Sequence, residues 1–372
     1  MKMTTKEVKS HREPLIHIVK RDELHWWQAW LIRIGAIVLA VLLVGAISMM
    51  LTKGSFTEIY EIMFKGAFGR ITEGKTTMLW KFLQETAILL GLSLAVTPAF
   101  KMKFWNCGAE GQALMGGLAS IICMIELGDK LPYPALLCVV VLASVLSGAL
   151  WGVIPAFFKA RYNTNETLFT LMMNYVATQI IKYYVYIEGG GSNTIHPVAT
   201  GNLPTLGGNR YLLNVIIIAV LTVALFVYLK FSKQGYEITV VGESRKTAKY
   251  VGINVKKVVI RTMVISGAMC GIVGMILVAG TDHSINTNTV GGQGFTAIMV
   301  SWLGQFNPFI MVLMSALTVF LRMGAGKIAD TCSLNASFAD IAVGLVILFV
   351  VGCEFFIRYS VKFRHSKKEV KA

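Results

Sequence analysis

The chain has 372 residues, 55% hydrophobic and only 15% charged, with a mean hydropathy of +0.63. Soluble domains carry roughly 25% charged residues, so an ordinary water-soluble globule is excluded. The net charge of +15 comes without an aromatic-interleaved basic stripe, so no nucleic-acid partner is expected.

Residues 1–30 are polar and basic, without the short apolar core of a cleavable signal. They read as a cytoplasmic amphipathic segment lying against membrane lipid, ending in the aromatic anchor Trp26, Trp27 and Trp30. Apolar blocks of about 15–24 residues then recur, the length that crosses roughly 30 Å of hydrocarbon. We place spans at 32–51, 79–100, 109–127, 135–158, 167–187, 212–231, 259–280, 294–305, 307–321 and 338–357. The expectation is an all-α integral membrane protein of about ten transmembrane helices over residues 31–357, followed by a basic cytoplasmic tail, 358–372. Lys and Arg concentrate in alternate connecting segments, and by the positive-inside rule this puts both termini in the cytoplasm.

The segments between spans differ in character. Residues 52–78 and the Gly-, Asn- and Pro-rich stretch 188–211 read as outward loops. Within the first, Gly69 to Thr76 satisfies the phosphate-loop pattern GxxxxGK[ST]. That loop works only between a strand and a helix of an α/β core, so nucleotide binding here is rejected. The longest inner loop, 232–258, is basic and long enough for one or two short helices along the membrane. In it Ser244 is placed to cap a helix of about two turns that Gly252 ends.

Two Gly-rich segments echo each other. Asn106-Cys-Gly-Ala-Glu-Gly-Gln112 opens the third span and Thr289-Val-Gly-Gly-Gln-Gly-Phe295 opens the eighth, each followed by a short apolar run and a Pro-led span. The halves 79–187 and 259–357 thus read as inverted repeats, and paired Gly-interrupted segments point to a transport path. Asn106 is placed to cap the third span, and Glu110 suits its positive end. Asn106, Glu110, Gln112, Asn174 and Gln293 are the candidate path residues, since polar groups at such depth face a cavity or a partner. Asn165 suits the start of the fifth span. The pairs Gly116/Gly117 and Gly148/Gly152 and the series Gly267/Gly271/Gly274 suit close helix packing. Few acids lie mid-span, so the path reads as mostly uncharged. The six cysteines are scattered, no metal or cofactor site is expected, and no catalytic constellation is present.

Taken together, NCGAEGQ, NETLFTLMMNY, the inner loop VGESRKTAKYVGINV and GGQGFTAI resemble the permeases of bacterial nucleoside importers. These share a superfamily with ribose and branched-chain amino-acid permeases. The resemblance runs from about residue 79 to 357. It implies a type II-like ATP-binding-cassette (ABC) importer permease in a bacterial plasma membrane, carrying no ATPase site of its own. It further implies a second permease subunit, a cytoplasmic ATP-binding-cassette subunit and an extracytoplasmic nucleoside-binding lipoprotein of the basic-membrane-protein type. The coupling helix that docks on the ATPase would involve Gly242, Glu243, Ala248, Tyr250, Gly252 and Ile253. Trp105 and Cys107 depart from the residues usual at their positions. Alternatives are a ribose or other simple-sugar permease and, from another class, an ion-coupled secondary transporter.

Overall fold

A computed structural model of the chain describes residues 16–20, 25–52, 55–69, 76–192, 194–335 and 337–363. These fall into two units, one from the described residues up to 59 and from 340 onward, the other spanning Tyr60–Ala339. In the first unit, β1 (Ile16–Lys20) pairs antiparallel with β2 (Tyr359–Phe363), Ile16 opposite Phe363. The same unit holds α1 (Trp26–Thr52) and most of α13 (Ser337–Arg358). Where described, residues 16–20 of the N-terminal segment are extended. The alternating, β-branched IHIVK pairs as a strand, and Trp26 already begins the first long helix.

The second unit holds most of α2 (Phe56–Phe68), then α3 (Thr77–Lys101), α4 (Ala109–Leu127), α5 (Tyr133–Tyr162), α6 (Glu166–Glu188) and α7 (Leu212–Phe231). It continues with α8 (Lys233–Glu243), α9 (Arg245–Tyr250), α10 (Val255–Leu277), a π-helical turn (Val278–Asp282), α11 (Gln293–Leu303) and α12 (Pro308–Thr331). All ten apolar blocks are helical. Among the described residues, eight helices are long and apolar enough to cross a membrane: α1, α3, α4, α5, α7, α10 with its π turn, α12 and α13. The 23-residue α6 is long enough but more polar.

Three expectations are corrected. Residues 52–78 are not simply a loop: α2 packs Phe64 and Phe68 against Phe320 of α12 and Phe82 of α3. The ninth block does not stop at 321, because α12 continues through Arg322 and Lys327 to Thr331. The eighth block is not a full span. At 11 residues, α11 reaches roughly 16 Å, about half the hydrocarbon thickness. The irregular stretch before it covers further depth beside α4, with Ile285 next to Gly117 and Gly292 next to Glu110. Residues 70–75, the core of the rejected phosphate-loop pattern, lie outside the described residues.

The bundle is organised about α3 and α10, whose most apolar windows are 89% and 78% buried against 28% for α5. They run in opposite directions: α3 ends against α8, with Gly242 on the Lys101 carbonyl, whereas α10 begins just after α9. Partners are exchanged symmetrically, α4 and α5 packing on α10, α11 and α12 on α3. This reciprocal arrangement is that of an inverted repeat. Small residues permit it. A Cβ on Gly148 would lie 2.8 Å from the Gly271 Cα, and one on Gly152 would lie 2.8 Å from the Met263 carbonyl oxygen. The glycine series therefore seats α5 and α4 directly on the backbone of α10.

A polar cleft where the two repeats meet

Between α3 and α4 the chain runs as an irregular turn, yet Phe104, Asn106 and Met102 are almost wholly buried. Non-helical backbone at such depth survives only if its polar groups find partners. Here side chains supply them. Asn106 Oδ1 accepts from the Gly108 amide (3.1 Å) and from Gln112 Nε2 (3.0 Å), while its Nδ2 donates to Ser266 Oγ of α10 (3.0 Å). From α6, Thr170 Oγ1 accepts from the Cys107 amide (3.1 Å), Asn174 Oδ1 accepts from the Gly111 amide (2.9 Å) and Asn174 Nδ2 donates to the Cys107 carbonyl (2.8 Å).

Asn106 is thus not the helix cap expected of it. Gly108 stands at the cap position without a side-chain bond, and Asn106 instead folds the turn and ties it to α10. Gln112, 1% exposed, completes that network, and Asn174 holds the turn from the α6 side. Three of the five candidate path residues therefore have their polar groups engaged in helix-to-helix bonding. Asn165 caps α6 as expected, accepting from the Leu168 amide (3.2 Å), and Glu166 pairs with Lys159 at 2.7 Å.

The remaining two candidates come together. Glu110 is in the first turn of α4, but its carboxylate reaches across to the other repeat. It accepts from the Gly292 and Gly294 amides, each at 2.8 Å. These are unpaired N–H groups at the start of α11, where a carboxylate is favoured by the helix dipole. Gly292 is left-handed (φ 74°), and a Cβ on Gly294 would lie 2.6 Å from the Glu110 amide nitrogen, so neither position accommodates a side chain. One residue along, Gln293 Nε2 donates to Glu85 Oε2 of α3 at 3.3 Å. Its Oε1 is buried without a partner.

Above this junction, on the side away from α8 and α9, opens a cleft of about 370 Å³ lined by Lys81, Glu85, Arg322, Lys327 and Asp330. Arg322 is within electrostatic reach of Glu110. Against the expectation of a mostly uncharged path, this cleft between α3 and α12 is lined by charged groups of both signs, three basic and two acidic. The apolar blocks pass over Glu85 and Arg322. The signal that reveals them is an ionisable residue in or beside an apolar helix, which is retained only for a purpose.

At the opposite end, α8 and α9 form a compact elbow. Ser244 caps α9, accepting from the Thr247 amide (3.2 Å), and Gly252 ends it at φ 83°. Gly242 and Glu243 belong to α8 rather than to the capped helix. On α9 itself, Ala248 is fully buried, whereas Tyr250 is 92% exposed. An ion pair at 2.9 Å joins Glu237 of α8 to Arg261 of α10.

An inverted-repeat helical bundle with a half-length helix and a polar cleft at the repeat junction defines a membrane transport permease. The chain belongs to the family described as the permease component of branched-chain amino acid transport systems, whose model matches residues 78–351. It is 29% identical over 352 residues to the guanosine ABC transporter permease of Bacillus subtilis, covering 92% of this chain and 97% of that one. It is also 29% identical over 345 residues to the glucose ABC transporter permease of Haloferax volcanii, covering 87% and 88%. A nucleoside ABC transporter permease of Lactococcus lactis is 25% identical over 336 residues, covering 86% and 90%.

Proposed function

We propose that this protein is the membrane-spanning subunit of an ABC importer that carries nucleosides. Family membership favours this over an ion-coupled carrier, and the guanosine and nucleoside permeases among its relatives favour the substrate class. The single observation that carries the transport reading is the junction at Glu110. There the two repeats meet through Gly-rich backbone beside a polar cleft, the arrangement expected of a substrate route between repeats.

In this reading residues 31–357 form the permease domain, and 1–30 and 358–372 are cytoplasmic, as the distribution of basic residues indicates. The cleft at Glu85 and Arg322 faces outward, toward a nucleoside-binding lipoprotein. The α8–α9 elbow faces the cytoplasm and docks on an ATP-binding-cassette subunit through Tyr250 and its neighbours. A second permease completes the route. ATP hydrolysis then belongs to the partner subunit, and this chain's work is to offer and withdraw access.

The glucose permease relative supports a simple sugar as the second reading. Uptake of labelled nucleosides and of labelled glucose and ribose, in a strain lacking this gene and in the complemented strain, separates them. Nucleoside uptake restored by complementation is the expected result. Restoration of sugar uptake alone would replace the substrate assignment.

A further inference from the structure

The side chains gathered at Glu85 differ from those of the junction below them. Glu85 lies eight residues from the start of α3 and Arg322 nine from the end of α12, so each is roughly 12–14 Å inward from the same end of the bundle. Glu85 is half-buried and accepts from Gln293. Gln293 is 8% exposed, yet its Oε1 has no partner. A buried, unpaired amide oxygen costs free energy unless something donates to it. Arg322 borders the same cleft and approaches the Gly291 backbone.

This set of groups is specific in chemistry. A carboxylate offers acceptors only and a guanidinium donors only. Adjacent hydroxyls on a sugar ring both donate and accept, and so can satisfy both. An anionic solute would meet the carboxylates of Glu85 and Asp330 as well as Lys81, Arg322 and Lys327, so two like charges oppose it. A free nucleobase lacks the hydroxyl pair.

Resting on the importer reading above, we infer that Glu85 and Arg322, with Gln293 holding the Glu85 carboxylate, form a binding station for the vicinal hydroxyls of the solute's sugar ring. Nucleosides and simple sugars share that group, so the station serves either substrate class. It is distinct from Asn106, Gln112 and Asn174, whose polar groups are spent on the fold.

The test compares wild type, Glu85→Gln and Arg322→Gln at matched membrane abundance, using uptake of a ribonucleoside and of its 2′,3′-dideoxy analogue. Glu85→Gln is nearly isosteric, and Arg322→Gln provides a second variant on a different helix. The expected result is a rise of about tenfold in KM for the ribonucleoside, the loss of one hydrogen bond to a charged group. The dideoxy analogue, already weaker in wild type, should be little changed by either substitution. Equal losses for both solutes, or no loss for either, would overturn the inference. Should wild type take up no nucleoside, the nucleoside reading fails, and the same variants are assayed with glucose and ribose. A raised KM there supports the station, and an unchanged one overturns it.

Discussion

Asn174 reads like a substrate ligand in sequence and acts as a structural clamp. Its amide holds the Gly111 N–H and the Cys107 carbonyl of a buried turn that has no regular partner for either. Asn174→Ala strands both groups, at about 1–3 kcal/mol each. We expect a clear fall in the apparent unfolding temperature of the purified protein and in its membrane abundance, with KM for the remaining active fraction little changed. A raised KM with unchanged thermal stability would return Asn174 to the path. Glu110 behaves differently, since its carboxylate is shared between the two repeats. Glu110→Gln retains one acceptor oxygen, so one of the two α11 amides loses its partner. This variant should lower the maximal uptake rate more than it alters stability, and paired transport and melting measurements check it.

At the scale of elements, the sequence was most informative where one physical signal acts alone. Apolar length located all ten helical blocks, and local cap chemistry placed Ser244 and Asn165 correctly. It was least informative where length and tertiary contact compete. The α11 block is apolar like a span, yet two positive-φ glycines before it and the Glu110 carboxylate start the helix only part-way through. Likewise, no local pattern says that Glu85 on α3 will meet Gln293 more than two hundred residues away. The same reasoning decides how to probe α9. Ala248 is buried and Gly252 needs a left-handed backbone, so bulky residues at either position disturb the elbow itself. Tyr250 is the clean position, because removing its exposed ring changes neither charge nor packing beneath. Tyr250→Ala should lower retention of the ATPase on the purified permease several-fold and reduce uptake, with thermal stability preserved. Undiminished ATPase retention and uptake would remove α9 from the docking surface.

At the scale of the bundle, backbone-to-backbone contact at glycines draws α4 and α5 onto α10. A side chain at Gly148 would strike the Gly271 backbone, which cannot rotate aside. Gly148→Val should therefore destabilise the bundle by about 1–3 kcal/mol or more. Gly35→Ala, on a helix position with nothing within 4 Å, should leave stability unchanged or slightly improved. Thermal melting of the two variants side by side distinguishes close packing from a general intolerance of glycine replacement.

The elbow touches both central helices, but not in the same way. Against α3, Gly242 meets the Lys101 carbonyl with no side chain between them; toward α10, the elbow is joined by the Glu237–Arg261 ion pair and by the chain itself, through residues 251–254. Bare backbone contact has no slack, whereas two long side chains can swing and stretch before they transmit a load. A push on α9 would then reach α3 through the Gly242 contact and α10 through the chain that joins the two helices. Because α11 packs on α3 and α4 on α10, any difference between those two displacements falls on the two hydrogen bonds from Glu110.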